Sequence, residues 1–263
     1  MATRRAALNT RWAIGGAACG LLLGVLAFAP AAWLGDILAS TTNQQLQLAD
    51  PRGTVWRGDA QLVVSGGQGS QDRLALPGRL EWELSPTLRG LQLSVRAACC
   101  TPQPVQLTLQ PGWRRLQLRV ADSLSEWPAG LLAGLGAPWN TVQPQGLLQL
   151  RSEHLSVEWI EGRVNVAGGA RLDALGMSSS LSTLRPIGSY RLSLAGSANR
   201  APPTLELQTI EGSLSLVGSG RWTGSRWSFQ GEASAAPERE QALGNLLNMV
   251  GRRQGARSVI SLG

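Results

Sequence analysis

A period of two in hydrophobicity, repeated about a dozen times, constrains this chain more than anything else in it. Leu80, Trp82 and Leu84 alternate with polar neighbours, as do Leu91, Leu93 and Val95, then Val105, Leu107 and Leu109, then Leu116, Leu118 and Val120. The pattern resumes at Leu148 and Leu150, at Leu155, Val157 and Trp159, at Tyr190, Leu192 and Leu194, and runs on to Trp227 and Phe229. Each run is four to eight residues long and is bounded by Gly, Pro, Ser or Asp, which is the signature of a strand with one apolar face. Strands of this kind build antiparallel sheets, since buried parallel strands are apolar on both sides. The expected fold class is mainly β: an antiparallel meander, either a curled sheet or a sandwich, that hides its apolar face against a second layer or by curling over it.

Residues 13–34, AIGGAACGLLLGVLAFAPAAWL, carry no charge. As one helix, 22 residues extend about 33 Å, the thickness of a bilayer's hydrocarbon core. Arg4, Arg5 and Arg11 precede the stretch and Asp36 follows it, which orients residues 1–12 into the cytoplasm. Trp12 and Trp33 stand at the two expected interfaces. A cleaved signal peptide is the rival, with Ala29-Pro30-Ala31 as the small-residue site, but the apolar run is longer than a signal core. In both cases residues 35–263 are exported. The expected location is the inner membrane of a bacterium, single-pass, with the bulk in the periplasm and membrane lipid as one partner.

All 24 basic residues are Arg, and the net charge of +7 invites a nucleic-acid reading. Three of those arginines precede the apolar stretch, which leaves 21 against 17 acids, and no basic run of five occurs among them. Nucleic acid is therefore excluded as a partner. His154 is the only histidine. It falls on the polar side of a run whose apolar side is Leu155, Val157 and Trp159, and no G-x-S-x-G turn supplies a nucleophile for it. Gly218-Ser219-Gly220 opens no helix, so it reads as a hairpin turn and not as a phosphate loop. Cys99 and Cys100 are adjacent; on a strand they point to opposite faces, so the expectation is that they form no bond with each other. Two neighbouring thiols and one distant His lack metal-ligand spacing. No catalytic, cofactor-binding or metal-binding residue is expected, no cofactor, no small-molecule substrate and no enzymatic activity.

Two segments depart from the alternation. Leu124, Trp127, Leu131, Leu132 and Leu135 have helical spacing, broken into short turns by Pro128. Pro237-Glu238-Arg239-Glu240 opens a helix whose stripe is Ala242, Leu243, Leu246, Leu247 and Val250, with Gly251 at its end, placed to act as a lid on the sheet. Asp36 is expected to cap a short helix from Ile37 to about Leu46. The stretch 136–146 divides the exported part into two possible halves, each with a Gly-Trp turn, at 53–58 and at 220–227.

Six runs together resemble the type II secretion system protein N family. They are Gly53 to Ala60 (GTVWRGDA), Leu80 to Pro86 with Leu88 and Gly90, and Leu135 to Thr141 with Gly146. Ser182 to Leu192, Gly218 to Glu232 and Leu246 to Gly255 complete the set. The resemblance implies an inner-membrane accessory or assembly component of the machine that exports folded proteins from the periplasm across the outer membrane. It implies other components of that machine as partners and offers no catalytic residues to carry over. The alternative is the AsmA type, which is similar in joining an N-terminal anchor to a long amphipathic periplasmic sheet. That likeness implies a β-groove handling lipid between membranes.

Overall fold

The computed structural model describes residues 2–197, 201–224 and 226–263, with side chains from residue 14 onward. Helix α1 runs Ala2–Ala27 and helix α2 runs Ala32–Thr41, so the uncharged stretch 13–34 is shared between two helices. Pro30 is the reason: it has no N–H to donate and it drives Ala29 out of the helical region. The uncharged part of α1, Trp12 to Ala27, is 16 residues, or about 24 Å against the roughly 30 Å of a hydrocarbon core. Among the described residues no helix is long and apolar enough to cross a membrane. The N-cap of α2 is Ala31, so Asp36 lies inside that helix and caps nothing.

Among the described residues sixteen strands follow, in a single antiparallel sheet. In chain order they are β1 Leu46–Gly53, β2 Arg57–Ser65, β3 Arg73–Ala75, β4 Leu80–Thr87, β5 Gly90–Ala97, β6 Val105–Gly112, β7 Arg115–Val120 and β8 Ser123–Pro128. Then come β9 Gln145–Ile160, β10 Arg163–Ser178, β11 Gly188–Gly196, β12 Thr204–Gly212, β13 Leu214–Trp222, β14 Trp227–Ala235, β15 Arg252–Gln254 and β16 Arg257–Leu262. The path is β1-β2-β4-β5-β6-β7-β9-β10-β11-β12-β13-β14-β16-β15, with β3 on β2 and β8 on β9. The sheet is open, and of the two layouts expected from sequence the sandwich is not adopted. It passes the stretch 136–146 without a break, because β7 pairs directly with β9.

The longest strands show how one apolar face is kept. Leu148 and Leu150 are even positions, whereas Leu155, Val157 and Trp159 are odd, so a regular strand would send the two sets to opposite faces. In β9 they oppose one series on β10: Leu148, Leu150, Val157 and Trp159 pair with Ala174, Leu172, Val166 and Val164. The register slips by one residue between Ala167 and Gly169, opposite His154, whose φ is 51°. This β-bulge absorbs the extra residue and restores the phase. Gly168, at φ +80°, makes the bulge possible, since a Cβ there would lie 2.2 Å from the His154 carbonyl oxygen.

The strands alternate between two unlike ends. One, the tip end, carries tight connections: the β1–β2 turn and the β4–β5, β6–β7, β9–β10 and β13–β14 hairpins. The other, the capped end, carries the covering turns and helices from the middle and the C-terminal part of the chain. There a 3-10 turn, Ala129–Leu135, packs with Trp127, Leu62 and the buried Leu76, Ala97 and Cys100. Helix α3, Trp139–Val142, follows it. Helix α4, Glu240–Val250, lays Leu243, Leu246 and Leu247 on Ile187, Leu214 and Ala233, as its stripe predicts. It is led in by Pro237–Arg239 and ended by Gly251, also as read from sequence. A third cluster joins Ala31 and Leu34 of the α2 segment to Ala60, Trp82, Leu80 and Leu93.

Three further expectations are corrected. Ser123–Pro128 is strand β8, not a helical turn, because it fills the edge of β9 that β7 leaves open. Gly218-Ser219-Gly220 lies within β13, and the hairpin turn comes later, at Thr223–Arg226. Those glycines make room for the Phe229 ring: a Cβ on Gly218 would stand 2.5 Å from its Cζ, and one on Gly220 2.9 Å from its Cδ2. Finally, Cys99 and Cys100 are disulfide-bonded. They sit in a turn after β5 with Cα atoms 3.7 Å apart, so the opposite-face geometry of a strand does not apply.

Candidate functional site

His154 is the natural place to look for chemistry, and its surroundings are those of a bulge. Its side chain is 89% exposed, its backbone N–H donates to Asp122 Oδ1 at 2.6 Å, and its Nδ1 lies 3.8 Å from Asp122 Oδ2. Among the described residues no group of three or more His, Cys, Asp or Glu is placed to hold a metal ion. The best-formed ion pair is structural. Asp173 on β10 and Arg191 on β11 are direct cross-strand partners, joined by two bonds of 2.7 and 2.8 Å. The Arg191 guanidinium holds the Asp173 carboxyl below the usual carboxylate range, burial works against this, and Arg171 and Arg151 add to it.

What the fold does bring together is five of the six runs singled out in the sequence, and it brings them to two places; the sixth, Gly218 to Glu232, lies in β13 and β14. The first is a socket at the tip end. The turn Thr54–Arg57 is closed by the Thr54 N–H on the Arg57 carbonyl at 2.9 Å. Trp56 Nε1 donates to the Leu26 carbonyl of α1 at 2.8 Å, and the Val55 N–H donates to the Ala29 carbonyl at 2.9 Å. The Ala31 N–H reaches back to the Gly53 carbonyl at 3.2 Å, and Pro30 bridges Thr54. From the second run, Trp82 lies over Gly58, where any Cβ would meet its ring at 2.6 Å. Its Nε1 donates to the Thr54 and Val55 carbonyls at 3.3 and 3.2 Å. Arg57 pairs with Glu83 at 2.6 Å, and Arg79 ties Asp59 to Asp50. The end of α1 is thus bolted to the sheet without a linker. The β13–β14 hairpin repeats the turn, with Thr223 N–H on the Arg226 carbonyl at 2.9 Å, which accounts for the likeness of 53–58 and 220–227.

The second place is an apolar cavity of about 280 Å³ at the capped end, between the sheet and its covering helices. Three runs supply its walls: Trp139 from the central one, Ile187, Tyr190 and Leu192 from the next, and Leu246 and Val250 from the last. Leu148, Leu172, Leu207, Leu214 and Leu216 form the sheet side. Sequence reading placed these leucines on one face but could not tell which part of it is roofed. The Tyr190 hydroxyl is consumed internally, donating to the Leu214 carbonyl at 3.1 Å, and burial raises its pKa. The cavity therefore offers dispersion contacts and almost no hydrogen bonding. An apolar cavity of about 150 Å³ in another protein stays dry and takes up benzene, so this one has room for a longer hydrocarbon.

An open antiparallel sheet with a bolted N-terminal helix at one end and a roofed apolar cavity at the other defines a mainly β protein built on a single sheet. Residues 44–260 match the family model described as type II secretion system (T2SS), protein N. The match covers all of the sheet but the last two residues of β16, and the chain belongs to that family: it is a type II secretion component. No curated protein and no solved structure matches the chain.

Proposed function

We propose that this chain is an inner-membrane accessory of the type II secretion system, acting by contact and assembly and not by catalysis. In this reading α1 crosses the inner membrane with its N-terminus in the cytoplasm, and the sheet stands in the periplasm beside other secretion components. The observation that carries it is the family match over 44–260, behind a helix whose Ile14, Leu21, Leu22, Leu23 and Leu26 are all more than half exposed. Apolar side chains exposed on all sides of a helix belong in lipid. A span shorter than the bilayer is met by local thinning. Deleting the gene should lower export of type II substrates and leave them folded in the periplasm. Complementation should need the anchor, which concentrates the domain near inner-membrane partners. Normal secretion in the deletion strain refutes the reading.

A second reading has an observation of its own. The 280 Å³ apolar cavity, continuous with the apolar face at Leu192 and Leu207, suits a hydrocarbon chain and supports a lipid-handling groove. Altered outer-membrane lipid with intact secretion in the deletion strain would favour it.

A further inference from the structure

We propose that the β4–β5 and β6–β7 hairpin tips form a second membrane contact, seated in the headgroup region of a bilayer that contains anionic lipid. The proposal rests on the anchor reading above and concerns residues outside the anchor. Leu88 is 107% exposed and Trp113 is 94% exposed, each at the summit of a two-residue turn. Beside them stand Arg89, which makes no ion pair among the described residues, and Arg114, whose contact with Glu161 is a loose 3.6 Å. Exposed Trp and Leu next to Arg is the composition of a membrane–water interface: the indole favours the headgroup level and the guanidinium favours anionic headgroups.

Position makes the composition meaningful. Both tips lie at the end of the sheet to which α1 is bolted. At about 4.8 Å per strand, the tip carrying Trp113 is roughly 20 Å from the socket, and the tip carrying Leu88 is roughly half that. Phe28, 80% exposed, and Trp33, 47% exposed, flank the socket itself. The socket leaves no slack, and the apolar part of α1 is short, so a membrane-inserted α1 draws this end of the sheet down to the surface. Sheet twist of about 20° per strand then lifts the more distant hairpins away, which confines the contact to the tips nearest the anchor.

The test uses the full chain carrying Cys19→Ala and one of Leu88→Cys, Trp113→Cys or Glu238→Cys, labelled with the fluorophore NBD. Each is reconstituted into vesicles of phosphatidylcholine and phosphatidylglycerol. Glu238 is exposed at the capped end and serves as the reference. The expected result is blue-shifted emission and loss of most iodide quenching at 88 and 113, with position 238 fully quenchable. Adding Arg89→Glu with Arg114→Glu should restore part of the quenching. If all three positions are quenched alike while the protein resists alkaline extraction, the anchor stands and this proposal falls. Protection in native membranes but not in pure lipid assigns the tips to a protein partner and also overturns it. Release by alkaline extraction overturns the anchor reading and this one together.

Discussion

Leu243→Ala tests whether α4 is a docked roof or a loosely tethered helix. Leu243 is 0% exposed, and the buried side chains grouped with it, Ile187, Leu214, Ala233, Leu246 and Leu247, are each at most 4% exposed. They come from a loop, two strands and the helix itself, so no single element can relax into the vacated space. Removing a leucine side chain from such a site costs about 3–4 kcal/mol, the transfer of its methyl groups plus the cavity left behind. For a chain of this size that lowers Tm by roughly 6–15 °C. Met249→Ala is the internal control: it lies on the same helix, is 39% exposed, and should cost under about 1 kcal/mol. Thermal unfolding of the detergent-solubilised chain, followed by far-UV circular dichroism, reads both. A Leu243→Ala shift no larger than that of Met249→Ala would mean that α4 does not roof the sheet, and the cavity beneath it would go too.

Gly168→Ala should destabilise by about 1–3 kcal/mol, because the new Cβ meets the His154 carbonyl at φ +80°, whereas His154→Gly should be neutral or slightly stabilising at φ 51°; urea unfolding compares them. Asp173→Asn should cost about 1–2 kcal/mol at neutral pH. Since Arg191 depresses the folded carboxyl below its usual 3.8, that stabilisation is present above the unfolded value and is lost as pH falls below it, so mutant and wild type should converge under acid in a pH series of melts. Mass spectrometry of the unreduced chain should find the peptide holding Cys99 and Cys100 lighter by two hydrogens than its reduced form, and a free-thiol mass would refute the bond.

The strands, their antiparallel pairing and the C-terminal roof were legible because period-two and period-3.6 patterns report burial directly. Leu80, Trp82 and Leu84 could only belong to a strand with one covered face. Other features depended on partners distant in sequence. Ser123 to Pro128 has helical spacing, but an open edge on β9 makes it a strand. Gly218 and Gly220 look like turn residues until the Phe229 ring that covers them is seen. The sequence also contained an unread clue to the bulge, in the change from even to odd leucines between Leu150 and Leu155. The socket and cavity were legible only as separate runs, because what unites them is the alternation of strand ends.

The order of the strands has a consequence for how the protein is made. Beyond β1, which starts the sheet, nearly every strand pairs with one that precedes it in the chain, and only β8 and β15 wait for a later partner. A polypeptide delivered N-terminus first can therefore grow its sheet as it emerges, each new segment finding a finished edge to join. Most pairings join strands that are neighbours in chain order, which leaves little chain exposed at any moment. Helix α4, which roofs the sheet, comes after β14 in the chain, so the hydrophobic pocket beneath it closes only once the strands that floor it are in place.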